Sequence, residues 1–243
     1  MSGHSRWSTI KHRKAISDAK KSKGWTKLIK EIMVSARSGS DFTSNFRLRT
    51  AVDRAKTANI PADTIDRAIK KGAKELENDQ VEELTYQVYG PFGVAFVVEL
   101  ATDNRNRTAS EIRKILDKNN ARIDASGSVL HKFKKRGLFW VEKSLVSEED
   151  LTQAALDLGA LDIVTDEDVY LVLCEPSDFQ AIKEGFSHRQ FSLAESNVGM
   201  HADSLVEISS SEAESLNKLL EQLEDHEDVL RVYTNFVAPK DDV

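Results

Sequence analysis

Residues 137–174 read GLFWVEKSLVSEEDLTQAALDLGALDIVTDEDVYLVLC, and the order of their apolar runs decides the fold. Leu138–Val141 predicts a strand. Glu148–Asp157 predicts a helix, opened by Glu148, Glu149 and Asp150, where carboxylates suit the positive end of the helix dipole. Strands follow near Leu161–Val164 and at Val169–Cys174, then a helix at Ser177–Gly185 and strands near Gln190–Ala194 and Leu205–Ile208. The order βαββαβ is the ferredoxin-like, split-βαβ pattern.

On either side of this unit lie two incomplete pieces. Upstream, Thr85–Tyr89 and Gly93–Leu100 read as a hairpin turned by Gly90-Pro91-Phe92-Gly93. A polar loop, Ala101–Arg107, leads to a capping box at Thr108–Glu111 and a helix carrying Ile112, Ile115 and Leu116. Ser128–Phe133 reads as another strand. Downstream, Ser211–Glu224 is a helix with Leu216, Leu219, Leu220 and Leu223 inward, followed by a strand at Val229–Phe236. Neither piece completes a sheet alone; joined, they make a second sandwich interrupted by the first.

The N-terminal part is helical and basic. Residues 1–17 carry few large apolar groups, so an arm ordered by a partner is expected. From Asp18, the residues Trp25, Leu28, Ile29, Ile32, Met33 and Ala36 form one apolar stripe, and Gly39 ends the helix. A second helix is expected from Asn45 to Thr57. A third opens at Pro61, presents Ile65, Ala68 and Ile69, and ends at Gly72 as a C-terminal cap. The fold class is therefore α+β with three domains: residues 1–79, a discontinuous domain of 80–136 plus 209–243, and an inserted ferredoxin-like domain of 137–208. An acidic linker, Glu75–Glu83, follows the helices.

Charge is divided unevenly. Residues 1–75 hold 18 Lys and Arg against 7 Asp and Glu, whereas the remaining 168 hold 16 against 33. A basic end on an acidic body suits a polyanionic partner, although the whole chain is at −6. At 40% hydrophobic and 30% charged residues the composition is globular, and no apolar run approaches a membrane span. A single cysteine excludes an internal disulfide and fits a reducing compartment, so a cytoplasmic location is expected. The start lacks the apolar core of a secretory signal.

Catalytic patterns are weak. Cys174 lies in a buried-strand pattern, the six histidines form no HExxH or Cys/His pairing, and no Gly-x-Ser-x-Gly elbow occurs. The stretch Glu224–Asp228 reads as a solvated acidic turn. Gly90–Gly93 is a tight turn and not a phosphate cradle, since no Gly-Lys-Ser/Thr follows. The expectation is a non-enzymatic protein without cofactor or metal.

The candidate nucleic-acid-binding residues are His4, Arg6, Trp7, Lys11, His12, Arg13, Lys14, Lys20, Lys21, Lys23, Lys27 and Lys30. Their cations displace counterions from phosphates, and the interleaved aromatic rings can stack on unpaired bases. A solvated helix face with a loose tail is the plainer alternative. Arg105 and Arg107 offer forked donors in a polar loop that equally well feeds a capped helix. Lys132, Lys134, Lys135 and Arg136 form a second basic cluster, explained equally by a charged strand end that resists edge pairing. Trp25, on the apolar stripe, is expected in the core.

Several stretches resemble the YebC/PmpR family. They are Gly3–Trp7, Ile10–Lys14 and Thr26–Ile32; Asn59–Asp63 with Arg67–Gly72; Tyr89–Pro91 with Gly93–Ala95; Thr102–Thr108; and Val229 with Val232–Phe236. The chain departs from that pattern at Gln87-Val88, where Glu-Gly is usual, and at Asn119–Asp124, where a glycine-rich segment is usual. The resemblance implies a three-domain protein without enzymatic activity: a DNA-binding transcriptional regulator working with the transcription machinery. Related members imply the alternative, a factor binding ribosomal RNA that assists translation of stalling, proline-rich sequences. The residues themselves lean toward structured RNA, because no groove-reading recognition helix is evident. No membrane and no small-molecule substrate are implied.

Overall fold

The computed structural model describes residues 21–73, 81–166 and 168–237, with only the backbone of residues 21–23. Its described residues fall into two compact units, residues 21–129 with 211–234 and residues 130–210 with 235–237.

The first unit begins with three helices: α1 (Lys21–Ala36), α2 (Phe46–Thr57) and α3 (Ala62–Ala73). Their core joins Ile32, Leu48, Ala51, Val52, Ala55, Ile65 and Ala68, and it continues onto Val81 and Ala101. Trp25 packs against this core, and its Nε1 donates to the Ala58 carbonyl at 3.1 Å, as the apolar stripe predicts. Asn45 caps α2 by accepting from Leu48 N. Gly72 differs from expectation: it lies inside α3 rather than beyond it. A Cβ there would stand 2.1 Å from the Met33 carbonyl oxygen, so its lack of a side chain lets α3 pack against the backbone of α1.

The sheet of this unit follows, with β1 (Glu82–Tyr89), β2 (Ala95–Thr102), α4 (Arg105–Lys118), β3 (Arg122–Ile123), α7 (Ser210–Asp225) and β9 (Val229–Thr234). Strand order is β3-β1-β2-β9, each neighbour antiparallel. The hairpin between β1 and β2 turns through Phe92 (φ 60°) and Gly93 (φ 76°). The α4 and α7 helices meet through Asn119 Nδ2 donating to Gln222 Oε1 at 3.0 Å. Two local expectations are corrected. The cap of α4 is Asn104, which accepts from Arg107 N, so Thr108 lies inside the helix and its hydroxyl is used elsewhere. The strand expected at Ser128–Phe133 is replaced by β3 and a 3-10 turn at Leu130–Lys132. There the Asp124 carboxylate accepts from the backbone N–H groups of Ser126 and Ser128 and folds the segment into a loop.

The second unit contains β4 (Phe133–Glu142), α5 (Glu148–Asp157), β5 (Asp162–Thr165), β6 (Val169–Cys174), α6 (Phe179–His188) and β7 (Glu195–Ala202). Strand order β5-β6-β4-β7, all antiparallel, with this chain order is the ferredoxin-like sandwich. One sheet face packs Phe139, Val141, Tyr170, Val172 and Cys174 against Leu151, Ala155, Ile182 and Phe186 of the helices. The alternation of β4 and β6 dictates this. The strand expected at Gln190–Ala194 begins instead at Glu195. Gln190 takes φ 62° just after α6, while Phe191 and Leu193 reach the core from a loop. Val206–Glu207 (β8) leaves the four-stranded sheet and pairs in parallel with β10 (Phe236–Val237). The strand expected at Val229–Phe236 is thus split at Asn235, whose Nδ2 donates to the Ser204 carbonyl at 2.9 Å. Among the described residues no helix is long and apolar enough to cross a membrane.

Candidate nucleic-acid interface

The sequence-predicted site residues separate into three groups. His4, Arg6, Trp7, Lys11, His12, Arg13, Lys14 and Lys20 lie outside the described residues, as do the side chains of Lys21 and Lys23. Lys27, Lys30 and Arg107 are held by the chain's own oxygens. Arg105, the first residue of α4, is exposed.

Lys30 and Arg107 converge on Asp228, which is fully buried. The ammonium of Lys30 bonds Asp228 Oδ1, while Arg107 Nη2 donates to Oδ2 at 3.1 Å and to Asp103 Oδ1 at 3.0 Å. Thr108 Oγ1 donates to the same Oδ2 at 2.6 Å and meets Thr102 Oγ1 at 2.7 Å. Burial alone would raise the Asp228 pKa, but hydrogen bonds from Lys30, Thr108 and Arg107 outweigh it and hold the group at about 2. The acidic turn expected at Glu224–Asp228 is therefore corrected at its last residue: Asp228 is an anchor and not a solvated charge. Lys27 Nζ reaches the Glu224 carbonyl.

A second buried carboxylate, Glu31, directly follows Lys30 on α1. Glu31 accepts from Arg231 and, at 2.8 Å, from Arg54 Nη1. Here too burial opposes ionisation, while Arg231, Arg54 and Arg47 overcome it and lower the pKa. Arg231 also faces Glu99 at 3.9 Å. These ion pairs join α1 and α2 to β9 and β2. They are structural, and their arginines are unavailable to a ligand without breaking them.

The basic residues that remain open were not singled out from the sequence. Lys56, Arg67, Lys70 and Lys71 are exposed and form no ion pair among the described residues. On α3, Arg67, Lys70 and Lys71 are spaced i, i+3, i+4 on the side away from Ile65 and Ala68. Their signal was in the charge balance of residues 1–75, which did not say which cations were free. Part of this pattern also suits the helix dipole, with Asp63 in the first turn and Lys70 and Lys71 in the last. Two of the four members of the second basic cluster are neutralised: Lys134 pairs with Asp203 at 2.5 Å, and Arg136 Nη1 reaches both Glu175 oxygens at 2.7 and 2.9 Å.

Two groups with chemical potential are accounted for by structure. Burial, then the nearby carboxylates of Asp178 and Glu175, push the Cys174 thiol up to about 12, which disfavours a thiolate. Glu111, His226 and Asp228 place donor atoms within 4.8 Å of one another. Yet His226 Nδ1 accepts from Asp228 N at 3.1 Å, and its Nε2 lies 2.9 Å from Glu111 Oε2. Both ring nitrogens are used, so the trio reads as a hydrogen-bonded brace.

Residues 5–75 match the family model described as the TACO1/YebC protein N-terminal domain, and residues 81–236 match the one for the TACO1/YebC second and third domain. A probable transcriptional regulatory protein of Geobacter sulfurreducens is 45% identical over 237 residues, covering 97% of this chain and 96% of that protein. One from Treponema denticola is 43% identical over 241 residues, covering 99% and 98%. The crystal structure of a conserved hypothetical protein from Aquifex aeolicus matches at TM-score 0.85 and 40% identity, covering 93% of this chain and 94% of that one. With both models matched in order and such identity along nearly the whole length, the chain belongs to the TACO1/YebC family.

Proposed function

We propose that this chain is a non-enzymatic regulator of gene expression that binds nucleic acid through its basic N-terminal arm and helical domain. The carrying observation is that Lys56, Arg67, Lys70 and Lys71 stand open among the described residues, whereas Lys30 and Arg54 of the same domain are held by buried carboxylates. Exposed ammonium and guanidinium groups bind phosphate by releasing counterions, without reading sequence. The arm's Arg6, Lys11, Arg13 and Lys14 extend the same footprint, with Arg105 as an accessory contact. The relatives are named probable transcriptional regulatory proteins, which supports DNA as the target.

A second reading, binding to ribosomal RNA in support of translation through stalling sequences, is favoured by one feature of α3. Groove-reading helices present their N-terminal residues to base edges. Here that end carries Asp63 and Asp66, which repel phosphate, and the cations lie toward the other end.

Replacing Lys11, Arg13 and Lys14 by Ala in the full chain is expected to weaken binding and to flatten the dependence of log affinity on log salt. An unchanged slope rejects the arm as part of the footprint. Crosslinking in cells, followed by sequencing of bound RNA and DNA, separates the two targets: enrichment of promoter DNA supports the first and enrichment of ribosomal RNA the second.

A further inference from the structure

The loop between α1 and α2 and the first residue of α2 each leave a phenylalanine partly in solvent. Phe42 is 41% exposed and Phe46 is 47% exposed, whereas Phe96, Phe139, Phe186 and Phe236 are almost completely buried. Each ring keeps a large share of its apolar surface in water, so the fold forgoes part of the gain of burial twice within five residues. A single exposed aromatic needs no explanation, but two within five residues, one on the loop and one at the start of α2, form a feature of the basic domain.

The segment that carries them is firmly built. Asn45 is buried, and its Nδ2 donates to the Ser35 and Gly39 carbonyls at 2.7 and 2.6 Å while its Oδ1 accepts from Leu48 N. The Asp41 carboxylate accepts from Thr43 N at 2.9 Å and from Thr43 Oγ1 at 2.6 Å, closing the turn between the two rings. Arg49 ties both aromatic positions together. Its Nε and Nη2 donate to the Phe42 carbonyl at 3.1 and 2.8 Å, and its guanidinium carbon lies 4.9 Å from the centre of the Phe46 ring. Rings held on a fixed segment lose little freedom when a ligand covers them.

We propose that Phe42 and Phe46 form a stacking platform for unpaired bases of RNA, with Arg49 as its positioning residue. This rests on the nucleic-acid reading given above and specifies what part of the nucleic acid is gripped. An aromatic face accepts any base, and a neighbouring guanidinium adds a cation–π contribution and attracts the backbone. The open cations of the domain fit that occupant: Lys56, Arg67, Lys70 and Lys71 are exposed and form no ion pair among the described residues. Asp41, the acid nearest the rings in sequence, has its carboxylate hydrogen-bonded within the turn. Duplexes keep their bases stacked on each other, so the platform discriminates for loops, bulges and single strands.

The test compares binding of the full chain to an RNA hairpin with an unpaired loop and to a blunt duplex of equal phosphate number. The double variant F42A/F46A is expected to lose about 10- to 100-fold on the hairpin, following the known cost of removing base-stacking aromatics, with little change on the duplex and an unchanged salt slope. F42W/F46W is expected to retain hairpin affinity, and F42L/F46L to lose it, because leucine is apolar but cannot stack. Should the double alanine variant fail to fold, F42A alone, on the loop, carries the same comparison. Wild-type hairpin affinity in the alanine variants overturns the platform while leaving the phosphate footprint intact. Retention by the leucine variant also overturns it, in favour of an apolar contact with a protein. A wild-type chain that binds neither RNA overturns the platform, and if it also fails to bind a DNA duplex the nucleic-acid reading falls with it.

Discussion

Two sets of cations in the first unit of this molecule have opposite fates. Lys30, Arg54 and Arg231, with Arg107 from α4, end on the buried carboxylates Asp228 and Glu31. Lys56, Arg67, Lys70 and Lys71 end in water. The difference lies in the partner that the fold brings up and not in residue type or helical phase. A positive balance of charge therefore overstates the surface available to a polyanion, and of these two sets it is the second that stays open to one.

Removing the anchor should give the largest effect. Asp228→Ala leaves Lys30, Arg107 and Thr108 without their shared acceptor and is expected to cost on the order of 3 kcal/mol in urea unfolding, since breaking a buried charged cluster is far costlier than losing a surface pair. A loss within 0.5 kcal/mol would place Asp228 with the solvated charges. Gly72→Ala tests the support of the open set: its Cβ collides with the Met33 carbonyl, and overpacking of this kind costs about 1–3 kcal/mol, read as a lowered Tm.

Acid should separate the two sets without mutation. Asp228 holds its proton less tightly when folded than when unfolded, so its contribution is complete above the ordinary value of 3.8 and is lost as pH falls toward about 2. Wild-type stability should fall across that window, and the Asp228→Ala protein should fall less steeply there. The smallest change in stability belongs to the quadruple variant K56A/R67A/K70A/K71A, expected within about 0.5 kcal/mol of wild type. Its salt slope for nucleic acid, however, should drop by roughly 0.9 for each duplex phosphate contact removed. Lys30→Ala should do the reverse, lowering stability while preserving the slope.

Much of the fold was legible because apolar periodicity is local. Glu148–Asp157 and Val169–Cys174 are found where their patterns place them, and Asn45 ends up as the cap at the start of α2. The misread positions are those where a distant group competes. Thr108 resembles a cap by spacing but serves Asp228, 120 residues away. Gly72 resembles a helix terminator but is required by a carbonyl of another helix. Leu205–Ile208 and the end of Val229–Phe236 have strand composition, yet they pair with each other in a separate two-stranded ladder.

The candidate site was legible only as a region. Counting charges pointed to the basic end of the chain, but that Lys30 and Arg107 are held by Asp228 could not be read without knowing what faces them. Phe42 and Phe46 gave no warning either, because an aromatic residue beside a helix start reads as core by default.

The pairing of Lys30 with Asp228 and of Arg231 with Glu31 spans 198 and 200 positions of sequence. During synthesis, the helices of residues 21–73 emerge long before either partner has been polymerised. At about 5–20 residues per second, that interval lasts roughly 10–40 s. Throughout it, Lys30 has no Asp228 to meet, Glu31 has no Arg231, and the fourth strand of the first sheet is missing. The Lys30 ammonium is thus unmatched in a nascent chain, unlike in the finished protein, at the very machine whose RNA surrounds it.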